Sequence, residues 1–183
     1  MPYGLHRFHQ SQQSHFITFS CYHRQPKFDS PATYDLFVES LERTRRRFVI
    51  RVYGYVVMRE HVHLLISEPE RATVADAMHF LKLSFAKSLH ARQLLAEPTS
   101  FWQKRYYDRN VRDEHEFQVK LRHLHRNPVK RGLAKEPGEW KWSSFRHYAS
   151  QEMGVVEIES EWTARERETG ARGGPARAFL IPG

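Results

Sequence analysis

The sequence predicts an α+β fold, an antiparallel sheet with packed helices in the ferredoxin-like element order β-α-β-β-α-β-α. Runs rich in β-branched and aromatic residues at 15–21, 52–58 and 61–66 indicate strands. Apolar residues recur at helical spacing in two segments, 31–48 and 73–95. The second and third strands are separated by only two residues, so we expect them to pair antiparallel. Strands and helices in this order favour a layered sheet-and-helix domain.

The first half of the chain supplies a strand, a helix and a hairpin. After the first strand, Asp29-Ser30-Pro31 offers a polar cap and a first-turn proline for a helix that reaches about Phe48. Arg59-Glu60 is then the short connection between the second and third strands. A connection of this length predicts a tight antiparallel hairpin.

The next elements are a long helix and a fourth strand. Thr73 can cap a helix that extends to about Leu95. Residues 101–107 are rich in aromatic side chains and follow a Pro-Thr-Ser segment, which predicts a strand.

The last predicted helix covers residues 113–126 and begins with an acidic turn. We expect Pro128 to end it, because the residue before a proline disfavours the helical conformation. Gly132 then marks a turn, and the aromatic segment 140–145 packs on the core.

These elements divide the chain into three parts. We expect an N-terminal arm at residues 1–14, the His-x-His domain at residues 15–150 and a partly flexible C-terminal tail at residues 151–183. The tail includes the glycine-rich stretch 169–175, whose composition favours mobility.

The charge balance predicts a polyanionic partner. The 183 residues carry a formal charge of +8 at pH 7. Residues 151–183 hold four Arg against six Glu, so the first 150 residues carry a net charge of +10. A basic balance of this size suits phosphate backbones, and a merely soluble basic surface is the alternative.

Composition also excludes several classes of protein. Cys21 is the only cysteine, which excludes an internal disulfide and a cysteine-based zinc cluster. No apolar run approaches the roughly 18 residues of a transmembrane helix, and the N-terminus lacks the order of a secretory signal. We therefore expect a cytoplasmic protein with no membrane partner.

The sharpest chemical feature is His61-Val62-His63. Side chains alternate along a strand, so both imidazoles project from one face and can share a divalent ion. The alternative is two strand histidines that face solvent.

A second constellation lies near the end of the last helix. His123 precedes Asn127 by four residues, which places both on one helical face. If that face covers the histidine pair, the Asn127 amide oxygen is a third ligand. Such a site with open positions suits Mg²⁺ or Mn²⁺, although histidines also admit zinc. The alternative for Asn127 is a helix-terminal residue that completes backbone hydrogen bonds.

Several ordered motifs resemble a known family. They are Phe16-Ile17-Thr18-Phe19-Ser20-Cys21-Tyr22, Gly54-Tyr55-Val56-Val57-Met58, Glu60-His61-Val62-His63-Leu64-Leu65, Phe101-Trp102-Gln103, His125-Arg126-Asn127-Pro128-Val129-Lys130-Arg131-Gly132-Leu133 and residues 140–148. In this order the chain resembles the REP-associated tyrosine transposases, within the single-tyrosine, His-hydrophobic-His (HUH) transposases of small insertion sequences. The matching motifs span roughly residues 15–150.

The resemblance implies a metal site at His61, His63 and Asn127. It also implies binding of single-stranded hairpin DNA from a repeat element. A helix tyrosine then attacks a phosphodiester, which leaves a 5′-phosphotyrosine link and a free 3′-hydroxyl, the chemistry of a DNA endonuclease and strand transferase in transposition and recombination. Relatives imply either a monomer or a homodimer.

The chain departs from the family at the tyrosine itself, because His123 occupies that position. Three explanations are open. In the first, His123 is itself the nucleophile and forms a phosphoramidate that hydrolyses readily. In the second, the protein binds DNA and metal without cleavage. In the third, Tyr106 or Tyr107 reaches the site from its own strand. The rival functions are a catalytically silent DNA-binding module and a metal protein that binds no nucleic acid.

Candidate DNA contacts come from three basic stretches. They are the helix residues Arg43, Arg46 and Arg47, the aromatic and basic stretch Lys104, Arg105, Tyr106 and Tyr107, and Lys130 with Arg131. Aromatic rings between cations suit the stacking of unpaired bases. A solvated helix face is the alternative for the arginines, and core packing is the one we favour for Trp102.

Overall fold

The computed structural model of the chain describes residues 14–95 and 100–172, with side chains up to residue 170. All but the last residue of the predicted N-terminal arm and residues 173–175 of the glycine-rich stretch therefore lie outside the described residues. Residues 169–172 of that stretch, predicted to be mobile, lie in a helix.

Four strands form one antiparallel sheet in the order β2-β3-β1-β4. This arrangement confirms the predicted α+β class. The strands are β1 Ser14–Ser20, β2 Val52–Val57, β3 His61–Ser67 and β4 Tyr107–Val111, and the helices are α1 Pro31–Phe48, α2 Val74–Ala91, α3 Glu114–Lys130, α4 Phe145–Ser150 and α5 Glu161–Arg172. Short 3₁₀ turns occupy Tyr22–Arg24 and Pro137–Glu139.

The sheet separates two apolar cores. On one face α1 and α2 pack over strand residues such as Ile17 and Leu64. On the other face α3 packs over Phe16 and Leu65. Because side chains alternate along β3, His61 and His63 share the parity of Leu65 and lie on the α3 face.

The predicted helix starts are confirmed by their caps. Ser30 Oγ accepts a hydrogen bond from the Thr33 amide, and Pro31 opens α1. Thr73 and Asp76 form a capping box on α2. The helix α2 ends at Ala91, earlier than predicted, because Gln93 adopts a left-handed conformation with φ 57°.

The prediction that Pro128 ends the last helix was wrong. Pro128 lies inside α3, which continues to Lys130. The Arg131 amide donates to the Asn127 carbonyl at 3.0 Å, and the Leu133 amide donates to the Pro128 carbonyl at 2.9 Å. A proline near the end of a helix removes one backbone bond there, and these later bonds close the last turn.

The predicted strand at residues 101–107 was also wrong. Only Tyr107 belongs to a strand, while Trp102 forms an isolated bridge with Cys21. Phe101 and Trp102 are both buried in the α1–α2 core, so they do not alternate between two faces as strand residues do. The core role favoured for Trp102 is confirmed.

Part of the segment predicted as a tail packs on the domain. Val156 and Ile158 are buried, and Ile158 forms a parallel bridge with Val52 at the edge of the sheet. The Glu159 amide donates to the Val52 carbonyl at 2.8 Å. None of the described helices combines the length and apolar composition needed to cross a bilayer.

The close approach of α3 to the sheet depends on Gly54. A Cβ atom at this position would lie 2.7 Å from Leu121 Cδ1 and 3.3 Å from Ser144 Oγ. We expect Gly54→Ala to destabilise the fold by about 1–3 kcal/mol through overpacking, measured by urea unfolding. Gly154→Ala is the matched control, because no atom lies within 4 Å of its added Cβ. Equal stability of the two variants would contradict this role.

A second prediction concerns His15 on β1. Burial lowers the pKa of His15, but hydrogen bonds to Asp108 and Glu68 outweigh burial and leave the pKa raised above 6.5. The charged imidazole therefore stabilises the fold below its ordinary pKa, and this contribution is lost as pH rises through the folded pKa. Urea unfolding as a function of pH should show that loss, and His15→Gln should remove it. An unchanged pH dependence in His15→Gln would disprove the assignment.

Candidate active site

Two imidazoles converge on the α3 face of β3. His61 Nε2 and His63 Nε2 lie 3.1 Å apart. Both residues are buried, at 4% and 7% exposure. The predicted sharing of one face by this pair is therefore realised in the fold, and the alternative of two solvent-facing histidines does not hold.

The other ring nitrogens of the pair have their own partners. His63 Nδ1 lies 2.7 Å from Thr18 Oγ1, and His61 Nδ1 lies 3.1 Å from a Glu60 carboxylate oxygen. When each Nδ1–H donates to its oxygen partner, both Nε2 lone pairs point toward the same space. Two facing lone pairs repel each other, and a shared cation relieves that repulsion. Oxygen partners on the distal nitrogen are also the usual support of a metal-binding histidine.

Asn127 supplies a polar group from the helix above. Its side-chain amide nitrogen lies 3.5 Å from His61 Nε2, and the residue is 8% exposed. Rotation of the amide by 180° exchanges its nitrogen and oxygen, which would turn a carbonyl oxygen toward the pair. The part of the chain that the structure describes contains no group of three His, Cys, Asp or Glu side chains able to hold a metal. The candidate ligand set is thus two imidazoles and one amide, which fits a divalent ion with open positions.

Burial keeps the two histidines neutral. Desolvation lowers the pKa of His63 to about 3, and the positive charges of Lys120 and Arg24 act in the same direction. Desolvation also lowers the pKa of His61, although Glu60 opposes this effect. A neutral imidazole is the form that binds metal ions. Burial therefore holds both histidines in the protonation state that metal binding requires.

His123 lies on α3 above this pair. Its ring centroid is 5.4 Å from that of His63 and 6.2 Å from that of Phe16. Partial desolvation of the ring, followed by the charges of Lys130 and Lys120, lowers the pKa of His123, although the residue as a whole is exposed. The imidazole is therefore neutral at neutral pH and has a nucleophilic nitrogen beside the candidate ligands.

The sheet distinguishes the two candidate tyrosines. Thr18 pairs with His63 on one side and with Tyr107 on the other. Residues directly opposite one another share a face, so Tyr107 lies on the histidine face, two strands or about 10 Å from His63. It is 57% exposed. Tyr106 instead packs against the α1–α2 core, on the other face.

The predicted DNA contacts fall into two groups. Arg131 lies at the site, because its guanidinium is 2.5 Å from a Glu60 carboxylate oxygen, and Lys130 precedes it. Lys104 and Arg105 lie in the exposed segment before β4.

The three arginines of α1 are remote from the histidine pair, because α1 covers the opposite face of the sheet. Arg43 donates to Ser40, Arg46 pairs with Glu42, and Arg47 stacks on Phe80. The structure does not bring these residues together with the histidine pair.

Two residues that hydrogen-bond to the histidine pair were not predicted from the sequence. Thr18 reaches His63 from a neighbouring strand, and this contact depends on strand register. Glu60 reaches His61, the next residue in the chain. A carboxylate directly before a His-x-His pair was the available signal for Glu60, whereas Thr18 had none.

Comparison with known proteins identifies the family. Residues 9–124 match the family profile described as "Transposase IS200 like". The chain belongs to the IS200-like transposase family. The matched region includes His61, His63 and His123 and ends before Asn127, so the case for Asn127 depends on the geometry of α3.

The similar proteins agree with the predicted branch of this transposase family. A Haemophilus influenzae protein assigned to the REP-associated tyrosine transposases is 24% identical over 129 residues, which cover 64% of this chain and 71% of that protein. The REP-associated tyrosine transposase of Escherichia coli K12 is 21% identical over 113 residues, or 61% of this chain and 64% of the relative.

The same fold occurs in a solved structure, that of a REP-associated tyrosine transposase bound to a REP hairpin. The TM-score is 0.64 at 20% identity, and the match covers 82% of this transposase and 87% of that chain. The predicted recognition of the family is confirmed.

The neutral state of His63 is directly testable. Because desolvation lowers its pKa to about 3, we expect its ring resonances in NMR to stay those of a neutral imidazole as the pH falls to about 5. Titration of the His63 ring near pH 6.5, the ordinary histidine value, would contradict its burial.

Proposed function

We propose that this transposase binds single-stranded hairpin DNA and nicks and transfers strands through a covalent protein–DNA intermediate. The observation that carries the proposal is the convergence of His61 Nε2, His63 Nε2 and the Asn127 amide on one space. A divalent ion, Mg²⁺ or Mn²⁺, held there would polarise a scissile phosphate and stabilise its developing charge.

Two further features support hairpin DNA as the substrate. A structural relative of the same fold is bound to a REP hairpin. The site is also surrounded by positive charge from Lys120, Lys130, Arg131 and Arg24, which suits a phosphate backbone.

Two side chains on the site face are candidate nucleophiles. Attack by the His123 imidazole or by the Tyr107 phenol forms a bond to phosphorus and breaks the bond to the 3′ oxygen. The departing 3′ oxygen takes a proton and becomes a free hydroxyl. The attacking group gives up a proton to water, the phenol its O–H proton and the imidazole its ring N–H proton. A tyrosine ester preserves the bond for rejoining, whereas a phosphoramidate hydrolyses more easily and favours nicking. Tyr106 faces the other core and is the weakest candidate.

A second function is favoured by one specific observation. His123 stands where the resemblance places the family's tyrosine, on the helix that carries Asn127. A protein that keeps the metal ligands and loses this nucleophile would be a DNA-binding module without cleavage activity.

The test is a cleavage assay with labelled single-stranded hairpin DNA and Mn²⁺ or Mg²⁺, which follows both nicked product and protein–DNA adduct. We expect the wild-type protein to nick, and His63→Ala to reduce nicking by roughly 100-fold or more, because a metal ligand is lost. Loss of activity in His123→Ala or in Tyr107→Phe identifies the nucleophile. Tyr106→Phe is the matched control and should remain active.

Other outcomes identify the alternative. If the wild-type protein binds the hairpin but never cleaves it, while His123→Tyr forms an adduct that requires His63, the silent module is the correct function. If no form binds DNA in a salt-dependent way, both proposals are wrong.

A further inference from the structure

A cavity lined by arginines adjoins the histidine pair. It has a volume of about 310 Å³ and is lined by Arg24, Pro26, Arg59, Glu60, Arg131 and Leu133. Three of the six lining residues are arginines and one is a glutamate. None of the three arginines belongs to α1, where the sequence indicated a basic helix face.

The charge of this cavity is only partly balanced. Arg131 pairs with Glu60 at 2.5 Å. Among the described residues, neither Arg24 nor Arg59 forms an ion pair with a carboxylate. The cavity therefore carries an excess of positive charge, and guanidinium groups match phosphate oxygens with two parallel hydrogen bonds.

The backbone around the cavity is held in place from two sides. The Cys21 amide donates to the Glu60 carbonyl at 2.8 Å, and the Phe28 amide donates to the Arg59 carbonyl at 3.1 Å. These bonds tie the segment that carries Arg24 to the β2–β3 turn that carries Arg59. The Tyr22 amide anchors the same segment to the Phe101 carbonyl at 2.9 Å.

Arg24 itself has an unusual conformation. His23 and Arg24 have φ values of 52° and 54°, in the left-handed region that residues other than glycine rarely adopt. Consecutive left-handed residues persist only where the surroundings hold them, and such strain is concentrated at functional sites. Here the anchored turn presents Arg24 to the cavity.

The cavity is connected to the histidine pair through one carboxylate. Glu60 contacts Arg131 on the cavity side and His61 Nδ1 on the metal side. The cavity and the histidine pair therefore share the Glu60 carboxylate.

We propose that Arg24, Arg59 and Arg131 form a binding site for a phosphate group, which holds a backbone phosphodiester next to the scissile one. This inference rests on the proposed function for its DNA ligand, while the phosphate chemistry depends only on the cavity. Fixing a neighbouring phosphate would set the register of the strand across the histidine pair, since phosphate contacts position a nucleic acid without reading its sequence.

The first arm of the test uses inorganic phosphate and no DNA. In NMR titrations of the full chain, the Nε–Hε resonances of Arg24, Arg59 and Arg131 should shift together and saturate with one common affinity. Arg92 is the control, because it is exposed and pairs with Glu39 on the helix side of the sheet. Shifts no larger than those of Arg92 would overturn the site.

The second arm measures hairpin binding as a function of salt, with DNA that lacks terminal phosphates. Each of Arg24→Ala and Arg59→Ala should lower the slope of log affinity against log salt by about 0.7, the value for one single-strand contact. Arg92→Ala removes the same charge and should leave the slope unchanged. Arg24→Lys should keep the slope and lose part of the affinity, because lysine retains the charge without the planar fork.

The two arms separate the proposals. A phosphate response with no hairpin binding supports the arginine site and contradicts the proposed function. Hairpin binding whose salt slope is the same in Arg24→Ala, Arg59→Ala and Arg92→Ala supports DNA binding and overturns the arginine site. A slope that falls only when the DNA carries a terminal phosphate overturns the assignment to an internal phosphodiester.

Discussion

The antiparallel pairing of β1 with β3 is the constraint on which the site depends. Its register places Thr18 opposite His63, and their hydrogen bond at 2.7 Å fixes the imidazole. A slip of one residue would turn both histidines of β3 into the opposite core. The same pairing extends through β1 to β4 and so brings Tyr107 onto the histidine face. One row of the sheet thus positions a candidate metal ligand, His63, and a candidate nucleophile, Tyr107.

The two histidines lie in a buried, low-dielectric environment that is surrounded by cationic side chains. Burial lowers the pKa of His63 and His61, which keeps both imidazoles neutral and able to bind a metal. Positive charge in the neighbourhood, including Arg131, suits an incoming phosphate. Glu60 connects these two functions, because it contacts His61 and Arg131 at once. The carboxylate therefore orients a candidate ligand and holds a cation close to it.

The candidate ligand set and the residue at the family's tyrosine position, His123, depend on different parts of the structure. The candidate ligands come from β3 and the end of α3, and the approach of α3 depends on Gly54. A change at His123, which is exposed on α3, leaves these packing contacts in place. The scaffold can therefore keep its ligand geometry whether His123 acts as a nucleophile or not. Tyr107 reaches the same face through the sheet, independently of the helix.

The sequence by itself determined the α+β class, the hairpin, most helix starts and the His61–His63 pair, because these depend on local periodicity and capping. It wrongly predicted that Pro128 ends the last helix, because hydrogen bonds that close the last turn of α3 let the helix continue. It also wrongly predicted a strand at residues 101–107, because two consecutive aromatic residues there are buried in one core. Only the tertiary structure decided that Thr18 supports His63, that Tyr107 and not Tyr106 shares the site face, and that Arg24 joins Arg59 and Arg131. The reason is physical: each of these relations depends on strand register or on loops tied together across the fold, and neither is encoded in local spacing.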